Sequence, residues 1–203
     1  LFGISHLINV PKAYVMFEAE QYDSAGYLFT NPKFISLDAA AMPGSIPLKG
    51  MQLTSLNLHF TQVQNLEPLK GQPLTALVLQ FTKVQNLEPL KDMPLTRLHL
   101  NGCDQVGDLS PLKGMPLTWL ELFGCKQVRD LAPLKDMPLT SLHLGSCPEV
   151  GNLDVLKGMP LKKLLINNTG VTDLRPLQAL PLEYIRLTPK NITQGLEILR
   201  AMK

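Results

Sequence analysis

Hydrophobic residues recur along this chain with a period of 21 or 22 residues. Each unit can be written L-T-x-L-x-L-x-x-[T/C]-x-V-x-x-L-x-P-L-K-x-M-P, and three units carry one extra residue before the Val. The units begin at Leu53, Leu74, Leu95, Leu117, Leu139, Leu161 and Leu182. Such a period is typical of a solenoid, in which each unit buries its hydrophobic face only against its neighbours.

Each unit contains two predicted elements. Its opening L-x-x-L-x-L alternates hydrophobic and other residues, which indicates a short strand with one buried face. The segment that returns to the next unit, such as Gln64–Pro73, is short and contains two prolines. Because proline lacks the amide hydrogen that a helix interior needs, we expect a single short turn there, such as a 3₁₀ turn.

With these motifs the chain resembles leucine-rich repeat proteins, and its T/C-x-V-x-x-L-x-P-L return is similar to the internalin-like short bacterial type. The resemblance covers residues 53–203. It implies an α/β solenoid, mostly β, that forms a curved right-handed coil. A parallel sheet would line the concave side, with short turns or 3₁₀ turns on the convex side. The resemblance also implies protein binding, and bacterial arrays of this type often accompany other domains, including serine/threonine kinases.

The start of the chain departs from the repeat. Residues 1–52 are expected to form an N-terminal cap or the remnant of a preceding domain. Within them, residues 34–52 keep a degenerate repeat whose leading residue is predicted to be Phe34, in a Phe-x-x-Leu motif. Residues 53–203 then hold seven repeats.

The last repeat lacks the return motif after Leu187. Thr193 is expected to be the N-cap of a short amphipathic helix. Its hydrophobic residues Leu196, Leu199 and Met202 are spaced to cover the exposed end of the core.

The charge and the hydrophobic content of the chain limit the kinds of partner that it is expected to bind. The net charge of +2 gives no reason to expect binding of nucleic acid or of an acidic membrane. No hydrophobic run approaches the roughly 20 residues needed to span a bilayer. The chain begins with Leu and shows no signal peptide, so we expect a processed or partial chain. We also expect a cytoplasmic location and a monomer.

Three cysteines occupy the ninth position of successive units, where other units have Thr. Thr can neither form a disulfide nor replace a thiolate ligand, so exchange of the two residues favours a structural role. In that role a small thiol or hydroxyl bonds to backbone groups of the turn. Neither the C-x-x-C spacing nor an even count supports a metal site or disulfides. Unpaired thiols suit a reducing compartment.

The third, fifth and seventh positions of each unit should point away from the core, and they vary widely between units. Around the middle of the array they include the only Trp together with Phe, His and Arg. Exposed aromatic residues with Arg are typical of binding hot spots. The predicted partner-binding residues are Arg97, His99, Trp119, Glu121, Phe123, His143, Tyr184 and Arg186, and Phe60 and Phe81 are candidates to extend the patch.

One alternative within this surface is a metal site. His99, Glu121 and His143 take the same position on successive strands, and two His with a carboxylate can bind zinc. The outer two strands would, however, lie about 10 Å apart, which favours a carboxylate hydrogen-bonded to one or both His residues. We therefore expect no metal and no cofactor.

The usual catalytic motifs are missing: the sequence contains no P-loop, dinucleotide-binding, H-E-x-x-H, G-x-S-x-G or kinase signature. The sequence predicts a non-enzymatic scaffold that binds a protein partner on the concave face of its sheet, without nucleic acid or membrane. Two alternatives stay open. The chain could be an accessory targeting segment of a larger enzyme such as a serine/threonine kinase. It could also bind carbohydrate, either through Trp119, Asn101 and Glu121 or through its N-terminal segment.

Overall fold

The computed structural model describes residues 34–36 and 53–201 of the chain. Apart from the strand at 34–36, the predicted N-terminal cap lies outside these residues, as does Met202.

The described residues form one parallel sheet of eight strands, arranged in the order in which they occur in the sequence. The strands are β1 (Phe34–Ser36), β2 (Ser55–Asn57), β3 (Ala76–Val78), β4 (Arg97–His99), β5 (Trp119–Glu121), β6 (Ser141–His143), β7 (Lys163–Ile166) and β8 (Tyr184–Leu187). Equivalent positions of successive units pair directly, so that Leu98 lies between Leu77 and Leu120. The repeat length therefore sets the register.

The predicted 3₁₀ returns are confirmed. They span Glu67–Leu69, Glu88–Leu90, Ser110–Leu112, Ala132–Leu134, Asp154–Leu156 and Arg175–Leu177, and a further 3₁₀ turn spans Pro189–Asn191. Before each return, an Asn or Asp side chain accepts a hydrogen bond from the first amide of the turn, as Asn65 does from Glu67 at 2.9 Å. This bond satisfies an amide that a one-turn helix leaves without a backbone partner.

The core is a set of leucine ladders between the sheet and the returns. Leu56, Leu77, Leu98, Leu120 and Leu142 are all 0% exposed, and they belong to one continuous hydrophobic cluster with the leucines of the returns. The fold is the leucine-rich-repeat solenoid that the period predicts.

The structure corrects the predicted start of the degenerate repeat. Phe34 pairs with Ser55, and Ile35 pairs with Leu56. Phe34 therefore takes the third position of its unit, and its assignment as the leading residue is wrong by two positions. The sequence allows two registers here, because Phe34 and Leu37 fit the L-x-x-L spacing while Ile35 and Leu37 fit the L-x-L spacing. The pairing of β1 with β2 selects the second.

The C-terminal helix α1 spans Leu196–Ala201. Thr193 is not its N-cap, because the Thr193 hydroxyl donates to the carbonyl oxygen of Thr172 at 3.3 Å, and Gly195, with φ of 81°, directly precedes the helix. Leu199 packs on the core, whereas Leu196 is 45% exposed. Only part of the predicted hydrophobic face therefore covers the core in the described residues.

Candidate functional site

The candidate site lies on the outward face of the sheet, which we define as the third, fifth and seventh positions of each unit. Six of the predicted residues belong to neighbouring units: Arg97 pairs with Trp119, and Glu121 pairs with His99 on one side and His143 on the other. Tyr184 and Arg186 lie on β8, beyond β7. The sheet thus brings the predicted residues into two groups separated by one strand.

A hydrogen-bonded network centres on Glu121. Its Oε2 atom accepts from Asn101 Nδ2 at 2.6 Å and pairs with His99 Nδ1 at 3.1 Å. Its Oε1 atom accepts from the indole nitrogen of Trp119 at 3.0 Å. Asn101 in turn accepts from the Phe123 amide at 2.9 Å. The carboxylate therefore fixes side chains from β4 and β5 in one arrangement.

The same contacts set the ionisation of Glu121. Burial raises the pKa of this carboxyl, but the charge and hydrogen bond of His99 and the donors of Trp119 and Asn101 outweigh it and lower the pKa to about 2. Such a carboxylate stays ionised at neutral pH.

His143 lies apart from this network. Its ring packs against Phe123, with the centroids 5.3 Å apart. Burial lowers the pKa of His143, and the charges of Lys163 and Arg186 lower it further, against an opposing effect of Glu121. Gly145 makes room for this packing, since a Cβ there would lie 3.0 Å from His143 Nε2 and 3.1 Å from Phe123 Cδ2.

The hydrogen-bonded carboxylate expected beside the His residues is present for His99. The metal alternative gains no support, because the described residues contain no group of three or more His, Cys, Asp or Glu side chains placed to hold an ion.

Lys163 lies on the same face and contacts two of the candidate residues, although the sequence analysis did not include it among them. Its Nζ lies 5.4 Å from the ring centre of Trp119 and 6.0 Å from that of Tyr184. The cation reaches Trp119 across the small side chain of Ser141, which separates them in the same row. The signal in the sequence was the order Trp, Ser, Lys, Tyr at the third position of successive units.

Phe60 and Phe81 form a second exposed aromatic group. Their rings stack at 4.8 Å with an angle of 2° between them, and 55% and 47% of these residues are exposed. Both have φ of 57°, a conformation that is strained for a bulky side chain. Gly102 follows in the same row, and the Phe81 ring lies directly over it.

The cysteines are buried and free, and each thiol donates to a backbone carbonyl of the preceding unit, as Cys103 does to Leu79 at 3.0 Å. Thr61, at the equivalent position, donates to Leu58 at 2.7 Å instead. Burial raises the pKa of the Cys147 thiol to about 11. The structural role predicted for these residues agrees with this geometry, whereas the predicted cytoplasmic location stays a prediction.

Within the described part of the chain, no helix has the length and apolar character required to cross a membrane.

Comparison with known proteins identifies the fold. No protein-family model and no curated protein sequence matches the chain. Among solved structures, the chain is similar to the internalin inlF of Listeria monocytogenes, with a TM-score of 0.70 and 22% identity. That match covers 84% of this chain and 51% of the internalin, about half its length.

It is also similar to internalin C2 of the same organism, with a TM-score of 0.55 and 24% identity over 77% of this chain and 80% of that protein. Both neighbours confirm the internalin-like leucine-rich-repeat fold predicted from the repeat.

Proposed function

We propose that this chain is a non-catalytic recognition scaffold that binds a protein partner on the outward face of its sheet, around Trp119. The observation that carries the proposal is the grouping of Trp119, Phe123, Lys163 and Tyr184 on that face. Phe123 and Tyr184 are 36% and 46% exposed, whereas Leu120 and Leu164, on the inward face of the same sheet, are 0% exposed. Trp and Tyr are enriched among the few interface residues that carry most of the binding energy.

Rigidity supports the same proposal. The Glu121 network holds Trp119 and His99 in place before any partner arrives. A preorganised surface loses less conformational entropy on binding, which favours affinity. The chemistry points away from catalysis, since the carboxylate is saturated with donors and burial raises the pKa of the thiols. We also propose that the chain is a monomer and that it binds neither nucleic acid nor a membrane.

An affinity capture from a lysate of the source organism tests the proposal. The baits are the wild type and a Phe123→Ala/Tyr184→Ala variant, which removes two exposed rings without touching the core. The control, Phe60→Ala/Phe81→Ala, removes two exposed rings at the other end of the sheet. Trp119 is left intact because its indole also holds Glu121.

Proteins retained by the wild type and the control, but lost by the Phe123/Tyr184 variant, would support recognition at the proposed face. Loss by the Phe60/Phe81 variant alone would place binding at the opposite end and contradict the proposal. A glycan array with the same three proteins separates protein recognition from carbohydrate binding.

A further inference from the structure

The outward face carries an unbalanced charge. In the seven full repeats, its third, fifth and seventh positions hold three Lys or Arg residues, Arg97, Lys163 and Arg186, and one carboxylate, Glu121. That carboxylate is 15% exposed and is occupied by donors from its own face. The charge that this face presents to a partner is therefore positive, and Glu121 has little exposed surface with which to bind a cationic group of the partner.

Two of these cations make no ion pair within the described residues. Lys163 lies between the rings of Trp119 and Tyr184, and Arg186 is exposed on the neighbouring strand. Because Lys163 pairs with Tyr184 and Leu165 pairs with Arg186, the two cations lie diagonally across β7 and β8. Strand geometry puts their Cα atoms about 8 Å apart, a separation that two carboxylates of one extended peptide can match.

The effect of this charge reaches across the face. Lys163 and Arg186 both lower the pKa of His143, which lies on β6 and in the next unit towards the N-terminus. A positive potential that acts on a neighbouring strand also attracts an approaching anionic group and raises its rate of association.

A protein segment suits this face better than a nucleic acid. Nucleic-acid binding depends on many cations that follow the phosphate backbone, whereas β2 and β3 present Ser55, Asn57, Ala76 and Val78 at the equivalent positions. The exposed rings of Tyr184 and Phe123 instead favour hydrophobic side chains beside the charged pair.

Building on the proposed function, we propose that the partner contributes an acidic segment, whose carboxylates pair with Lys163 and Arg186 while a neighbouring hydrophobic side chain packs against Trp119 and Tyr184.

The test begins with a phage-displayed library of random peptides selected on the wild-type chain. The most enriched peptide is then synthesised, and its Kd is measured by fluorescence anisotropy. The variant is Lys163→Ala/Arg186→Ala. The control, Lys113→Ala/Lys135→Ala, removes the same charge from exposed positions of the returns.

The expected result is enrichment of peptides that contain Asp or Glu next to a hydrophobic residue. The Lys163/Arg186 variant should raise the Kd about tenfold or more, as expected for the loss of hot-spot contacts, and the control should change it less than about twofold. Raising NaCl from about 10 mM to about 150 mM should weaken binding, because the screening length falls from about 30 Å to about 8 Å.

Other outcomes overturn the inference in distinguishable ways. If the enriched peptides lack acidic residues, or if the Lys163/Arg186 variant binds the peptide with the same Kd as the wild type, the inference of an acidic segment is rejected. The proposal that the face binds a protein would be unaffected. A single-stranded oligonucleotide is measured in the same anisotropy assay. If it binds more tightly than any peptide, the partner is a nucleic acid and the proposed acidic protein segment is rejected. If no peptide is enriched, the acidic segment is rejected, and the affinity capture decides separately whether the face binds a folded protein.

Discussion

The buried carboxylate of Glu121 gives a prediction whose size follows from the structure. Its pKa falls from an ordinary value of 4.5 to about 2 on folding. At about 1.36 kcal/mol for each step of one in pKa, this corresponds to about 3 kcal/mol of folding stability at pH 7. Glu121→Gln keeps the shape but removes the charge and turns an amide group towards hydrogen-bond donors. We expect the free energy of unfolding to fall by about 1–3 kcal/mol.

The pH dependence has a defined direction. Because the folded pKa lies below the unfolded one, the charge stabilises the fold fully above pH 4.5, and this contribution disappears as the pH falls towards about 2. The difference in unfolding free energy between wild type and Glu121→Gln should therefore shrink as the pH falls from about 4.5 towards about 2.

Urea unfolding at a series of pH values measures both quantities, with circular dichroism and the fluorescence of Trp119 as probes. Glu67→Gln is the matched control, since Glu67 is exposed on a return and should change stability by less than about 0.5 kcal/mol. A Glu121→Gln effect as small as that of the control, or one that does not decrease in acid, would refute the assignment of Glu121 as the organising charge of the site.

Three further predictions concern the core, the thiols and the left-handed turn. Leu120→Ala should lower the free energy of urea unfolding by about 2–5 kcal/mol because the side chain is fully buried, whereas Leu196→Ala, at an exposed leucine, should change it by less than about 0.5 kcal/mol. The Cys147 thiol, whose pKa is raised to about 11, should react with a thiol reagent at neutral pH only after denaturant is added, and rapid reaction of the folded protein would contradict its burial. Gly102→Ala should lower the free energy of unfolding by about 1–3 kcal/mol, because its Cβ would lie 2.4 Å from the Phe81 ring and because its φ is 72°. In a Phe81→Asn background, urea unfolding should show a smaller loss for the same change. An equal loss in that background would show that the Phe81 ring is not a cause.

The candidate site was predictable in membership but only partly in arrangement. The pairing of His99 with Glu121 followed from their shared position in successive units. The role of the variable positions in partner binding stays a prediction. Lys163 was missed because a lysine in a variable position normally indicates a solvated surface. Its contact with Trp119 crosses the small Ser141 between them, and only the structure shows that the lysine turns towards the indole ring.

The sequence by itself determined the solenoid, since a period of 21 or 22 residues forces equivalent leucines into ladders. A proline lies within five of the six 3₁₀ returns, where it disfavours a longer helix. Beyond the His99–Glu121 contact, the tertiary structure decided how the outward side chains interact. Gln80 approaches Glu121 across two strands at 3.5 Å, although 41 residues separate them in the chain. Tertiary structure also set the pairing of Phe34 with Ser55. The physical reason is that backbone pairing and burial repeat in every unit, whereas contacts between outward side chains depend on which residues happen to be neighbours in successive units.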